Sequence, residues 1–355
     1  MVKRTDDKAN QQPSIMSSSK TRHVLIFRTS AIGDVTMAAT LLREYAKYYP
    51  QYQFTMVSQA FLQPLFEGYP NLQFIAADLQ GRHHGFRGIF RLFFDLRKLK
   101  VDCFVDLHSV LRSLILRTLF FFSGTPVYFL IKGRSARQKL TRQRFKKLRP
   151  IKTMFQRYES VLHKALGNTT TLIKQAESKE WKQKNEKVKR LGIAPFAKHQ
   201  GKLYPLERME SIVSYFAAQS DVEVFLFGGG DEETRILAEW ESRYDTVVSM
   251  AGKLSLAEEL LFMQKLSLMV SMDSANMHFA SFVGIPVVSI WGATHPFAGF
   301  YGWKQCPENA MQMNLYCRPC SIFGNKDCFR NDYTCMRAYP PTLIIRKIEH
   351  LLETL

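Results

Sequence analysis

The stretch HVLIFRTSAIGDVTMAATLLREYAKYY (residues 23–49) decides how the rest of the chain is read. After His23, the run Val24–Phe27 is apolar, as in a strand buried on both faces. From Val35 onward apolar residues recur at helical spacing until Pro50 stops the helix. Small residues, one glycine and one carboxylate turn the chain between them. A strand leading through a small-residue turn into a helix is the opening unit of an open α/β sheet. The carboxylate is unexpected. Turns at such places bind phosphate through backbone N–H groups, and Asp34 would repel that ligand. Local chemistry leaves Asp34 two readings: capping the helix N-terminus, or a functional role.

The alternation continues along the chain. HVLIF (23–27), FTMVS (54–58), DCFVDLH (102–108) and TPVYFLIK (125–132) read as strands, with an amphipathic helix over 86–100. The lysine-rich segment NTTTLIKQAESKEWKQKNEKVKR (168–190) reads as a linker or surface helix. Beyond it the pattern restarts. LGIAPFA (191–197), VEVFLFGGG (222–230), LMVSMD (268–273) and IPVVSIWG (285–292) are strands with helical stretches between them. The spacing predicts parallel strands joined by right-handed crossovers in two similar domains, with ligands at the carboxyl ends of the strands. The expected division is a disordered tail over 1–20, a first domain over 21–167, a linker over 168–189, a second domain over 190–340 and a C-terminal helix over 341–355. That last helix suits either domain.

The 355 residues suffice for about two domains of roughly 150 residues. The formal net charge is +18, and it is concentrated: residues 81–157 hold 12 Arg and 7 Lys against 3 Asp, a net of +16. Such a field fits an anionic partner. No recognised nucleic-acid module accompanies it, so nucleic acid is not expected. No complete G-x-G-x-x-G follows a strand, which argues against a dehydrogenase. The N-terminus lacks an apolar signal region. The most apolar stretch, LILRTLFFFSGTPVYFLIK (114–132), is broken by Arg117, Gly124 and Pro126 and is too short to span a bilayer. The chain reads as cytoplasmic, touching membrane only peripherally through basic and aromatic side chains.

Chemistry-bearing residues collect at the ends of the predicted strands. Met272-Asp273-Ser274-Ala275-Asn276-Met277-His278 puts small residues at a helix start, where free N–H groups suit an anion, with His278 one turn on. Gly292-Ala293-Thr294-His295-Pro296 follows another strand. Phe227-Gly228-Gly229-Gly230-Asp231-Glu232-Glu233 ends a third, with carboxylates suited to ribose hydroxyls. Lys202 lies in a loop and suits a phosphate. Cys317-x2-Cys320-x7-Cys328-x6-Cys335 is compatible with a structural zinc or with unliganded thiols. No Asp-x-Asp is placed to hold a metal–diphosphate, so neither a catalytic metal nor a cofactor is expected.

Taken in order, RTSAIGDV, VDLHSVLRS, the Lys-x-x-Pro loop, MDSANMHFA and WGATHP resemble glycosyltransferase family 9, the lipopolysaccharide heptosyltransferases, over about residues 22–340. The resemblance implies a GT-B fold: α/β, two Rossmann-like domains whose parallel sheets face each other across a cleft. It implies inverting transfer of heptose from ADP-heptose to the anionic lipopolysaccharide inner core at the inner membrane; other nucleotide sugars remain open as donors. It assigns Asp34 as general base on the acceptor side, with Ser30 and Gly33 beside it. Lys202, Glu232, Asp273, Ser274, Ala275, His278 and Thr294 become donor-binding, with Asp231 and Glu233 as alternatives to Glu232. Tyr204 stands where relatives often carry Trp. Charge alone adds Arg112, Arg134 and Arg137 as acceptor contacts, with Lys139, Arg142 and Arg144 in the same cluster.

Overall fold

The computed structural model describes residues 21–167, 170–173 and 187–354. The expected tail and most of the expected linker lie outside the described residues. The first domain comprises β1 (Arg22–Phe27), α1 (Ile32–Tyr48), β2 (Tyr52–Ser58), β3 (Leu72–Ala76), α2 (Gly85–Arg97), β4 (Cys103–Asp106), α3 (Leu111–Phe122), β5 (Val127–Phe129), α4 (Arg134–Thr141) and α5 (Met154–Leu166). Its parallel sheet has the order β3-β2-β1-β4-β5. The second comprises β6 (Lys189–Ala194), α6 (Leu206–Ala217), β7 (Val222–Leu226), α7 (Asp231–Glu241), β8 (Val247–Ser249), α8 (Leu256–Met263), β9 (Leu268–Met272), α9 (Ala275–Val283), β10 (Val287–Trp291), β11 (Ala310–Gln312), α10 (Thr334–Arg337) and α11 (Pro341–Thr354). Its parallel sheet runs β11-β10-β9-β6-β7-β8.

Strand order fixes where the chemistry sits. Sequence order reverses between β1 and β4 in the first sheet and between β6 and β9 in the second, and crevices open at such switch points. The Asp34 turn follows β1 and the Lys202 loop follows β6. The Asp273 turn follows β9. Each motif thus stands at a switch point because of the strand that precedes it.

Helix α1 explains its own composition. Its residues Val35–Leu42 are all buried, because α1 lies between its own sheet and α9 of the second domain. The contact is tight at Gly33: a Cβ there would lie 2.6 Å from Cδ2 of His278. The backbone also crosses between domains, with Ile151 N–H donating to the Phe297 carbonyl at 3.0 Å and Met154 N–H to that of Gly299 at 2.8 Å. Phe155 packs on Trp303 with ring centroids 4.7 Å apart, and the Arg43 guanidinium lies over Phe282. One apolar core therefore runs through both domains. Helix α11 packs on α6 and stays with the second domain.

Candidate active site

Asp34 is the third residue of α1 and does not cap it; the N-cap is Ala31, with no side-chain bond. The carboxylate turns to Arg28 instead. Arg28 Nη2 meets Asp34 Oδ2 at 2.7 Å in a nearly buried ion pair, and Arg28 Nη1 donates to the Leu107 carbonyl. Burial alone would lower the Arg28 pKa, but Tyr158 and Asp34 outweigh it and hold it above the ordinary value. Among the described residues the second carboxylate oxygen, Oδ1, has only a long 3.4 Å contact from the Tyr158 hydroxyl. Asp34 borders a cavity of about 360 Å³ that it shares with Arg28, Lys132, Arg134, Arg137 and Phe323 among others. One carboxylate therefore stands among four cations from its own domain, under an aromatic wall from the other.

Arg137 joins the two sides. Its guanidinium lies 5.4 Å from the Phe300 ring and 5.6 Å from that of Phe323, and burial lowers its pKa. Lys139, Arg142, Arg144 and Arg112 do not line this cavity. Ser30 bonds His108 at 3.1 Å and Thr29 meets the other ring nitrogen at 3.3 Å. Burial, with Arg28 nearby, pushes the His108 imidazole down to about 3, so a neutral ring braces the turn before Asp34.

Across the cleft, Lys202 Nζ pairs with Asp273 Oδ2 at 2.9 Å and donates to the Asp273 carbonyl at 3.0 Å. Two of its three N–H groups are thereby engaged. Ser274 is the N-cap of α9 and makes no side-chain capping bond, so the first-turn N–H groups at Ala275 and Asn276 stay open to a ligand. His278 is buried against Gly33 and pushed down to about 4 by burial, and its Nδ1 has no partner among the described residues. Thr294 is wholly buried; its hydroxyl has no partner among the described residues and its carbonyl accepts from Arg318 at 3.0 Å. A second cavity, of about 660 Å³, is lined by Phe196, Gln200, Glu232, Glu233 and Arg337 among others. Glu233 folds back onto the Gly229 N–H at 2.8 Å, while Glu232 is exposed. Tyr204 is buried with its hydroxyl on the Tyr339 carbonyl, a packing role.

Several residues here carried no local signal. Arg28 pairs with Asp34 six residues on, but its bond to the Leu107 carbonyl, like the contacts of His108 and Tyr158 with the Asp34 turn and the place of Lys132 in the cavity, joins segments about 80 to 120 residues apart. Arg318 is another: it is buried and donates to carbonyls of Trp291, Gly292, Met313 and Thr294, pinning the loop after β10. Cys317, Cys320, Cys328 and Cys335 all border one small cavity and are free thiols, and burial raises Cys335 to about 11. Among the described residues no three His, Cys, Asp or Glu side chains are arranged to hold a metal ion.

The comparisons agree with this fold. A lipopolysaccharide core heptosyltransferase, OpsX of Haemophilus influenzae, is 23% identical over 290 residues, covering 78% of this chain and 80% of its own. A family 9 glycosyltransferase of Veillonella parvula superposes with a TM-score of 0.70 at 20% identity, covering 95% of this chain and 99% of its own. E. coli heptosyltransferase WaaC, solved with ADP, gives 0.65 at 15% identity over 93% of this chain and 99% of its own. The family model described as glycosyltransferase family 9 (heptosyltransferase) matches residues 89–326, about two thirds of the sequence. This two-domain chain of GT-B fold belongs to that family.

Proposed function

We propose that the protein transfers heptose from ADP-heptose to an anionic acceptor of the lipopolysaccharide inner core, with inversion at the anomeric carbon. The observation that carries this is the position of Asp34: a carboxylate with one oxygen fixed by Arg28 and the other facing a cavity of cations. In that cavity Asp34 Oδ1 accepts the proton of an acceptor hydroxyl. The oxygen so activated attacks the anomeric carbon, the bond from that carbon to the phosphate oxygen breaks, and ADP leaves. Attack opposite the leaving group inverts the centre.

The donor side is assigned to the second domain. The open N–H groups of α9 and the remaining N–H of Lys202 stabilise charge on the departing diphosphate. Because Asp273 already neutralises much of Lys202, the helix terminus carries a large share. Glu232, exposed at the rim of the larger cavity, is the ribose contact. Buried neutral His278 donates to the donor through a ring N–H, and Thr294 shapes the loop behind it. Arg134 and Arg137, which line the cavity at Asp34, bind the acceptor's anionic groups. WaaC, a structural neighbour, has also been solved with ADP-2-deoxy-2-fluoro heptose, which supports ADP-heptose as donor. An acceptor held in lipid places the enzyme at the cytoplasmic face of the inner membrane.

The test is ADP release from ADP-heptose with and without a Kdo–lipid A acceptor, beside Asp34→Asn. Acceptor-dependent release that the variant loses by about 10²-fold or more, with donor affinity kept, is expected. Wild-type turnover in the variant would remove Asp34 from the role of base. No release by the folded wild-type protein would remove ADP-heptose or this acceptor.

A further inference from the structure

The most apolar stretch of the sequence forms no membrane span among the described residues, and only one of its faces belongs to the core. It folds as α3, the following turn and edge strand β5, and among the described residues no helix is long and apolar enough to cross a membrane. Its inner face fills the core: Leu116 and Phe120 are buried, and Phe120 stacks on Phe104. Its outer face stays bare. Leu111, Leu114, Phe121 and Phe122 are exposed, the last by 80%, and Phe129 and Ile131 continue the surface past β5. At 3.6 residues per turn these four α3 positions fall within an arc of about 100°. The same wheel puts Arg112 on one shoulder of the stripe and Arg117 on the other. The Arg117 guanidinium lies 4.2 Å from the Phe129 ring and 3.9 Å from the buried Asp106 carboxylate, so it ties stripe and strand into one surface and leaves Arg112 as the stripe's unpaired charge among the described residues. No acidic side chain occurs on α3 or β5.

We propose that this surface docks the enzyme on an anionic lipid bilayer. Aromatic and aliphatic side chains on one arc with an arginine at its shoulder are the composition of an interfacial helix: apolar groups enter the acyl boundary while the Arg112 guanidinium meets lipid phosphates. A protein partner matching this charge would need an acidic rim around an apolar centre; a bilayer of anionic lipid supplies both layers. Position supplies the second argument. Ile131 is 66% exposed, and its chain neighbours Leu130 and Lys132 line the cavity at Asp34. The docking surface therefore borders the mouth of the acceptor cavity, so a lipid-anchored acceptor reaches Asp34 without leaving its leaflet. This last step rests on the acceptor reading above; the docking itself does not.

Flotation with acceptor-free vesicles tests it. The full chain is expected to float with phosphatidylglycerol/phosphatidylethanolamine vesicles and much less with pure phosphatidylcholine, and to be released by high salt. Phe121→Ser with Phe122→Ser is expected to weaken flotation by roughly tenfold or more, with melting temperature and ADP release on a soluble delipidated acceptor unchanged. Leu261→Ser, an exposed position on α8, should float like wild type. Equal flotation of the double variant and wild type overturns the proposal. So does a wild-type dimer that the double variant turns into a monomer without change in flotation, which would make the surface an interface between copies. Flotation without ADP release would overturn the transferase reading alone, and release without flotation the docking alone.

Discussion

The ion pair between Arg28 and Asp34 makes a sharp claim about one side chain. Asp34 sits at the end of a helix-start turn where a carboxylate ordinarily caps N–H groups, yet it faces Arg28 at 2.7 Å. The arginine holds Oδ2 and so fixes which oxygen is left for the acceptor. Arg28→Ala would leave Asp34 without its partner and the Leu107 carbonyl without its donor. Losing a charged hydrogen bond at this burial costs on the order of 2–3 kcal/mol. The expected result in urea unfolding is that loss, together with a fall in kcat of more than about tenfold as the carboxylate swings free. Arg28→Lys should recover stability better than turnover, since an ammonium cannot reach Asp34 and Leu107 in the planar geometry of a guanidinium. A variant with unchanged stability and kcat would show that Asp34 is positioned by something else.

At the scale of elements, the central strands were legible in the sequence and the edges were not. β1, β6, β7, β9 and β10 are apolar runs because helices cover both their faces, and such runs need no partner to be noticed. β3, β8 and β11 are short edge or near-edge strands, only three to five residues long, with mixed exposure that erases the pattern. Strand TPVYFLIK shrank to Val127–Phe129 for the same reason. The motif residues Asp34, Lys202, Asp273 and His278 were legible because each follows a readable strand. Their partners were not, because Arg28–Tyr158 and Arg137–Phe323 contacts exist only after distant segments pack. The α1–α9 contact shows how far one element depends on another. Gly33→Ala puts a methyl 2.6 Å from the buried His278 imidazole, so one of the two must shift. Overpacking of this kind costs roughly 1–3 kcal/mol. The expected outcome is that loss in equilibrium unfolding and a larger fractional loss of turnover, because the strain separates Asp34 from the donor turn. Full stability and full turnover together would mean the domains do not work in this closed contact.

The molecule as a whole buries histidines that must stay neutral, and this sets its response to acid. His108 is pushed down to about 3, and His278 and His295 to about 4, all mainly by burial. In the unfolded chain each titrates near 6.5. Between about pH 6.5 and 4 the unfolded state therefore binds protons that the native state refuses, so stability falls as pH drops through that window. Each such group steepens the fall by up to about 1.4 kcal/mol per pH unit. Glu259 acts in the opposite sense: burial raises it to about 7, so its neutral form favours the native state as pH falls from about 7 towards 4.5. Three histidines outweigh one glutamate, and the net slope is expected to be towards acid lability. His278→Gln separates this account from ordinary carboxylate titration, which sets in lower. The variant keeps an amide near the site of the imidazole and lacks its proton uptake. Unfolding free energies measured from pH 7 to 4.5 should then fall less steeply than in wild type, whatever the offset at pH 7. An identical slope would mean that His278 takes up its proton in the native state, and with it that the α1–α9 contact opens to water.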